Sequence, residues 1–227
     1  MFKPTLEPLQ AKKNQFLAAA HFQRNRVRMC TSPIPLLVST RNPHKVREIR
    51  TILGVPFEVS DLSILPTMPE VEETGKTFEE NAELKAVAAS QLFEGWVIAD
   101  DSGLEVDALG GAPGVYSARY AKEAAIDSEN NALLLENLAR VPEQERQARF
   151  RCVIVLARAG RKLAAFSGVV EGVIALSPRG AKGFGYDPLF TPNGFSQTFG
   201  ELPVTTKNRL SHRARALNEL RAWAGWS

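Results

Sequence analysis

Cysteine is scarce in this 227-residue chain, and long apolar runs are missing. The two cysteines, Cys30 and Cys152, are too far apart for a metal-ligand pair or a redox motif. Without a disulfide framework the chain suits a reducing compartment, and no stretch approaches the roughly 20 apolar residues of a membrane span. We therefore expect a soluble, cytoplasmic protein without a membrane partner, in which Cys152 is a small buried hydrophobic residue.

A broad excess of charge of one sign is also missing. The net charge is +3, but residues 1 to 34 hold six Lys or Arg and one acid, which leaves 22 basic and 24 acidic residues from 35 onward. This balance argues against a nucleic-acid partner, because a broad basic face is needed to bind phosphate backbones. We interpret residues 1 to 34 as an extension and 35 to 227 as one domain. The extension could be a transit-like amphipathic segment, a disordered tail, or the result of an upstream start before Met29.

From residue 35 onward, strand-like and helical patterns alternate. A short apolar strand (36 to 40) precedes a helix (45 to 53), and a second helix (77 to 93) leads into a strand ending at Asp100. A strand at 104 to 109, a helix at 128 to 140, two long strand-rich stretches at 148 to 157 and 163 to 176, and a last helix capped by Ser211 follow. The lengths of the two stretches suggest bent strands in a shared sheet. The pattern predicts an α/β fold with a mixed, strongly bent sheet and flanking helices.

The most informative stretch is residues 96 to 104, where an apolar strand is predicted to end in Asp100, Asp101 and a turn. A buried strand that ends on two carboxylates requires a cation nearby, because an isolated buried charge is very unfavourable. Mg²⁺ prefers such carboxylates, completed by waters and substrate phosphates. The pair alone is equally compatible with a purely structural role.

Two loops could complete such a site. Residues 39 to 45 join a strand to a helix N-terminus, which favours an anion, although the P-loop spacing is absent and a plain capped helix explains the loop as well. Glu72 and Glu73 lie in a Pro-rich loop that could swing toward Asp101, whereas Glu79 and Glu80 fit a role in the first turn of the second helix.

Two further clusters indicate a nucleotide site. Residues 183 to 190 place two aromatic rings among glycines, which allow the backbone to approach a ligand while a ring faces a base. Lys207, His212 and Arg213 gather near the start of the last helix, where an anion or base pocket is a reasonable interpretation.

Six collinear motifs between residues 35 and 224 make the chain resemble the inosine triphosphatase family, the non-canonical purine nucleoside triphosphate pyrophosphatases. They are Ser-Thr-x-Asn-x-x-Lys-x-x-Glu (39 to 48), Glu-Glu-Thr-Gly-x-Thr-Phe-x-Glu-Asn-Ala (72 to 82), Ala-Asp-Asp-Ser-Gly-Leu (99 to 104), Gly-Gly-Ala-Pro-Gly-Val-Tyr-Ser-Ala-Arg-Tyr (110 to 120), Gly-Phe-Gly-Tyr-Asp-Pro (183 to 188) and Lys-Asn-x-x-Ser-His-Arg (207 to 213).

The resemblance implies a two-lobed, usually dimeric enzyme with the active-site cleft between its lobes. With Mg²⁺ it would cleave ITP, dITP and XTP between the α- and β-phosphates. Asp101 would be the catalytic base and, with Glu72 or Glu73, a metal ligand. The implied substrate-binding positions are Thr40, Arg41, Asn42, Pro43, His44, Lys45, Ser102, Phe184, Gly185, Tyr186, Asp187, Lys207, His212 and Arg213. Within this set Thr40, Asn42 and Lys45 would hold the triphosphate, and Arg41 would either add a contact or point to solvent.

Three other functions compete with this hypothesis. Maf-type nucleotide pyrophosphatases share the general fold but not these motifs. A nucleotide sensor would bind without turnover, but it has no need of a water-activating base such as Asp101. A nucleic-acid binder using the basic extension would lose its function on deletion of residues 1 to 28, which we expect to be nearly silent.

Overall fold

The computed structural model describes residues 33 to 226, so nearly all of the predicted extension, including Cys30, lies outside the described residues. The described part contains six strands and five α-helices. The strands are β1 (Ile34–Val38), β2 (Phe57–Asp61), β3 (Trp96–Val106), β4 (Gln147–Arg158), β5 (Arg161–Ile174) and β6 (Phe190–Pro192), and the helices are α1 (Pro43–Leu53), α2 (Phe78–Ser90), α3 (Asp127–Asn137), α4 (Val204–Leu210) and α5 (His212–Arg221).

The six strands form one mixed sheet in the order β2-β1-β3-β4-β5-β6. Strand β1 pairs in parallel with β2 and β3, and the pairs from β3 through β6 are antiparallel. The hairpin of β4 and β5 is the longest, with a register shift between Leu156 and Ala157 that breaks its regular pairing. The predicted mixed α/β sheet with two long strands is confirmed.

The helices begin where their capping residues place them. Asn42 caps α1 and Pro43 occupies its first position, while Gly54, at φ +53°, ends it. Thr77 and Glu80 form a capping box at the start of α2. Ser211 caps α5 by accepting a hydrogen bond from the backbone N–H of Ala214 at 3.2 Å, as predicted.

One prediction about strand ends is wrong. Strand β3 does not stop at Asp100 but continues to Val106, so that the pair lies in the middle of the strand and faces Ile154 and Val153 of β4. The predicted separate strand at 104 to 109 is the end of β3 followed by a short 3-10 turn. Gly103 permits this course, because a Cβ there would lie 2.4 Å from the carbonyl oxygen of Gly114. The sequence pattern did not predict that β3 continues past Asp100, because two acids followed by Ser and Gly are typical of a turn.

Two hydrophobic clusters flank the acidic pair along β3. One cluster packs Ile98 with residues of β1, α1 and α5, and the other packs Leu104 with residues of α3 and the segment from 186 to 202. The polar centre of the molecule therefore lies where the two clusters meet. In the described part of the chain, no helix has the length and apolar character needed to cross a membrane.

Candidate active site

A cleft of about 310 Å³ opens beside the acidic pair. The predicted site residues that line it are Thr40, Arg41, Asn42, Lys45, Glu73, Asp101, Ser102, Phe184, Gly185, Tyr186, Asp187, Lys207, His212 and Arg213. Three predicted residues, Pro43, His44 and Glu72, lie outside its lining. The fold thus gathers residues from the loop after β1, α1, the loop that carries Glu73, β3, the 183 to 188 turn, α4 and the start of α5 into one place.

Asp101 is a buried carboxylate of β3 that reaches the cleft. Its Oδ2 accepts a hydrogen bond from Asn81 Nδ2 at 3.2 Å, and its Oδ1 accepts one from Lys85 Nζ at 3.3 Å. Burial raises the pKa of Asp101; Lys85 and Lys45 oppose this rise, while Glu73 and Asp100 add to it. The carboxylate is therefore oriented on both oxygens and more basic than an exposed aspartate.

Lys85 is a central residue of the site that sequence reasoning did not assign. Its Nζ donates to Glu73 Oε1 at 2.8 Å, to the carbonyl oxygen of Asp100 at 3.0 Å and to Asp101. Burial alone would lower the pKa of Lys85, but Asp101 and Glu73 raise it, so the ammonium stays charged. Its position on the buried face of α2 was the signal in the sequence, because a lysine there needs a partner.

Glu73 and Asp101 are the two carboxylates that could share a metal ion. Among residues 33 to 226 no cluster of three or more His, Cys, Asp or Glu side chains suited to a metal is found. Glu73 and Asp101 nonetheless converge on one cationic group, the Lys85 ammonium. A pair of carboxylates is a donor set that suits Mg²⁺, which usually keeps waters and substrate phosphates as its other ligands. Glu72 is exposed and does not join this pair.

Asp100 has a different role from its neighbour. It is fully buried, and its Oδ2 accepts hydrogen bonds from Arg213 Nη2 at 2.7 Å and Nε at 2.9 Å. Lys45 Nζ lies 3.0 Å from the other oxygen. Although burial favours protonation, Arg213 and Lys45 hold the pKa of Asp100 far below its usual range. Asp100 is thus a permanent anion that positions two cleft cations.

Glu48 is a second anion that the sequence did not assign a role. Its Oε1 accepts a hydrogen bond from Lys207 Nζ at 2.8 Å, and its Oε2 accepts one from Arg213 Nη1 at 2.5 Å. Lys207 also donates to Asp187 Oδ2 at 2.5 Å. Burial raises the pKa of Asp187 in spite of this contact. The base of the cleft is therefore a continuous network of ion pairs that links α1, β3, the 183 to 188 turn, α4 and α5.

The loop after β1 is organised by its own side chains. Asn42 Oδ1 accepts hydrogen bonds from the backbone N–H groups of His44, at 2.9 Å, and Lys45, at 3.3 Å. Asn42 therefore caps α1, which agrees with the interpretation of this loop as the start of a plain capped helix. Arg41 is exposed, but its Nη2 donates to the carbonyl oxygen of Met68 at 2.9 Å. This hydrogen bond connects the loop after β1 to the Pro-rich segment that leads to Glu73.

The 183 to 188 turn presents one aromatic ring to the cleft and buries the other. Phe184 lines the cleft, and Lys207 Nζ lies 4.8 Å from its ring centroid. Tyr186 is nearly fully buried and donates its hydroxyl to the carbonyl oxygen of Ser117 at 2.9 Å. Asp127, which the sequence did not single out, accepts a hydrogen bond from the backbone N–H of Gly185 at 2.6 Å. Phe184 is thus the ring available to a base.

His212 contributes a neutral imidazole. Its ring stacks on Phe150 with centroids 4.8 Å apart, and its Nδ1 is buried without a hydrogen-bond partner. Burial, followed by Arg213 and Lys207, lowers the pKa of His212 well below 6.5. At neutral pH the group therefore offers one donor and one acceptor rather than a charge.

The arrangement can bind a polyanion, remove a proton from water and stack a base. Comparison with known proteins agrees with this chemistry: the profile of the Ham1 family matches residues 36 to 223. A Geobacter sulfurreducens protein named dITP/XTP pyrophosphatase is 55% identical over 192 residues, which are 84% of this chain and 96% of that protein. A Listeria monocytogenes protein of the same name is 48% identical over 186 residues, covering 82% and 92%.

Solved structures agree with these relatives. The Ham1 protein of Staphylococcus aureus superposes with a TM-score of 0.74 at 41% identity, over 83% of this chain and 96% of that one. The Mycobacterium abscessus structure titled nucleoside-triphosphatase / dITP/XTP pyrophosphatase has a TM-score of 0.67 at 41% identity, over 82% and 98%. The resemblance stated from the sequence motifs is confirmed.

Proposed function

The chain belongs to the Ham1 family, and from this premise we propose that it hydrolyses ITP, dITP and XTP at the α,β-phosphate bond. The products are the nucleoside monophosphate and pyrophosphate, so that the enzyme removes deaminated purines from the nucleotide pool. The relatives named dITP/XTP pyrophosphatase support the substrate class. The observation that carries the proposal is an oriented, buried carboxylate, Asp101, placed in a cleft among cations.

The chemical step requires a base and a neutralised leaving group. Asp101 takes a proton from a water molecule whose oxygen bonds to the α-phosphorus. The bond between this phosphorus and the bridging oxygen breaks, and the electron pair leaves with pyrophosphate. Asn81 and Lys85 hold the carboxylate in one orientation, which lowers the entropy cost of aligning the water.

The phosphates are bound by the loop after β1. Lys45 and the hydroxyl of Thr40 both line the cleft, and they can contact the departing pyrophosphate as its charge grows. Because Lys45 is paired with Asp100, its ammonium is already held in place beside the cleft before substrate arrives. The protein therefore supplies a preorganised cation at this point.

We include Mg²⁺ in the proposal, held by Glu73 and Asp101. Held by these two carboxylates, Mg²⁺ would supply charge neutralisation at the phosphates and would assist ionisation of the attacking water. The convergence of both carboxylates on the Lys85 ammonium supports this assignment, because it shows that oxygens of Glu73 and Asp101 lie near enough to each other to contact one cation. A homodimeric assembly is also proposed from the resemblance, and a cytoplasmic location from the scarcity of cysteine.

Selection of a 6-oxo purine follows from the donors near Phe184. Lys207 uses two of its three N–H groups on Glu48 and Asp187, and so retains one for a ligand. A 6-oxo group can accept from such a donor, whereas the 6-amino group of ATP leaves it unpaired at a cost of about 1 to 3 kcal/mol. We therefore expect ITP to be preferred over ATP.

The test is product analysis with ITP and Mg²⁺ in water enriched in oxygen-18. IMP that carries the label, together with unlabelled pyrophosphate, supports the proposed attack at the α-phosphorus. IDP with orthophosphate would refute it, and tight binding without turnover would favour a nucleotide sensor.

Asp101→Asn provides the matching variant. We expect kcat to fall by at least about 10²-fold, with the fold and ITP binding retained. Asp107→Asn is the control, because Asp107 lies outside the cleft and contacts Arg149. Substantial activity in the Asp101 variant would show that the base lies elsewhere.

A further inference from the structure

The imidazole of His44 stacks on the ring of Phe184. The two ring centroids are 5.3 Å apart and the ring planes differ by 23°, which is a stacked arrangement. His44 is exposed near the start of α1, whereas Phe184 belongs to the turn before β6. The contact therefore joins two distant parts of the chain.

Only one of the two stacked rings lines the cleft. Phe184 lines it, together with Lys207 and Arg213, whose cationic groups lie 4.8 and 5.7 Å from the Phe184 centroid. His44 is not part of the lining. The imidazole therefore contacts the Phe184 ring without itself lining the cleft.

Phe184 has little support from its neighbours in sequence. It lies between Gly183 and Gly185, both at positive φ, and neither has a side chain that could restrict the ring. The backbone of the turn is fixed by hydrogen bonds from Phe184 N to Asp187 Oδ2 and from Gly185 N to Asp127 Oδ2. These bonds fix the main chain but leave rotation of the ring to side-chain contacts.

We propose that His44 is a positioning residue, which holds the plane of Phe184 so that a purine can stack on its cleft side. The proposal rests on the function given above. Because His44 precedes Lys45 on the same helix, it also ties the base platform to the phosphate end of the cleft. The distance between the base platform and the phosphate-binding end of the cleft is then set by α1.

The experiment compares ITP with inorganic tripolyphosphate, a competitor that has no base. For His44→Ala we expect KM for ITP to rise about 2- to 12-fold, the range of an aromatic pair, with kcat changed less than about 2-fold. The inhibition constant of tripolyphosphate should stay at the wild-type value. His44→Phe should restore KM, because a phenyl ring can stack in the same place.

Thr51→Ala is the control, since Thr51 is exposed on the same helix and its hydroxyl bonds only the carbonyl of Arg47 among the described contacts. If His44→Ala weakens tripolyphosphate as much as ITP, His44 is a phosphate contact and the proposal is overturned. Unchanged constants for both ligands, or failure of His44→Phe to restore KM, also overturn it. Lack of ITP hydrolysis by the wild type would instead refute the proposed function.

Discussion

Replacing Arg213 by Met tests the ion pair at the base of the cleft. Arg213 and Asp100 are each about 1% exposed, and Asp100 accepts two hydrogen bonds from the guanidinium. The variant leaves the Asp100 carboxylate with Lys45, whose Nζ lies 3.0 Å from Oδ1, and with Lys85, whose ammonium contacts the Asp100 carbonyl oxygen. Removing one partner of a buried pair costs about 3 to 5 kcal/mol, a large part of the 5 to 15 kcal/mol that typically stabilises a domain.

The variant Asp100→Asn, alone and combined with Arg213→Met, completes a double-mutant cycle. Because the combined change removes both charges, we expect it to be less destabilising than the sum of the single changes by about 2 kcal/mol. Arg215→Met is the matched control, since Arg215 is exposed on the same helix, and it should cost less than about 1 kcal/mol.

Urea unfolding followed by tryptophan fluorescence measures these energies. The three tryptophans, Trp96, Trp223 and Trp226, pack together in one aromatic cluster. Their fluorescence therefore reports on unfolding of the hydrophobic cluster around Ile98 and not on changes in the cleft. A loss below about 1 kcal/mol for Arg213→Met, or strict additivity in the cycle, would refute the pairing argument.

Two further predictions concern pH and the glycine turn. Since burial holds the pKa of His212 below 6.5, the unfolded chain gains a proton in acid that the folded chain does not, and stability falls as pH drops below 6.5. His212→Phe should reduce that loss by up to about 1.4 kcal/mol per pH unit in urea titrations, and equal slopes would contradict the argument. Gly183→Ala places a Cβ 1.9 Å from Asp187 Oδ2, so we expect weaker ITP binding by calorimetry. Gly194→Ala, also at positive φ but with nothing within 4 Å, controls for backbone strain, and equal ITP affinity in both variants would contradict the steric argument.

The alternation of strands and helices could be predicted from the sequence because each element carries its own signal. The helical spacing before Gly54 and the cap at Ser211 both marked ends that the structure has. The continuation of β3 through Asp100 and Asp101 had no such signal. It depends on Lys45, Lys85 and Arg213, and nothing in the linear sequence shows that these cations meet at one strand.

The residues of the candidate site also fall into some that the sequence could predict and others that it could not. The motifs located the residues that can touch a ligand, such as Asp101 and Phe184, because their chemistry is visible in their type and spacing. The residues that hold them, Asn81, Lys85 and Glu48, were not assigned, since each acts through a contact made in three dimensions. Tyr186 was expected at the ligand for its ring, yet its hydroxyl bonds a core carbonyl group.

The pairing of Asp100 with Arg213 also has a consequence for synthesis of the chain. The two residues are 113 positions apart, and Arg213 is synthesised after Asp100. Until the start of α5 has been synthesised, Asp100 lacks the guanidinium of Arg213, and only Lys45 and Lys85 favour burial of its charge. We therefore expect the central strand to reach its full stability only after α5 has been synthesised and has packed against it.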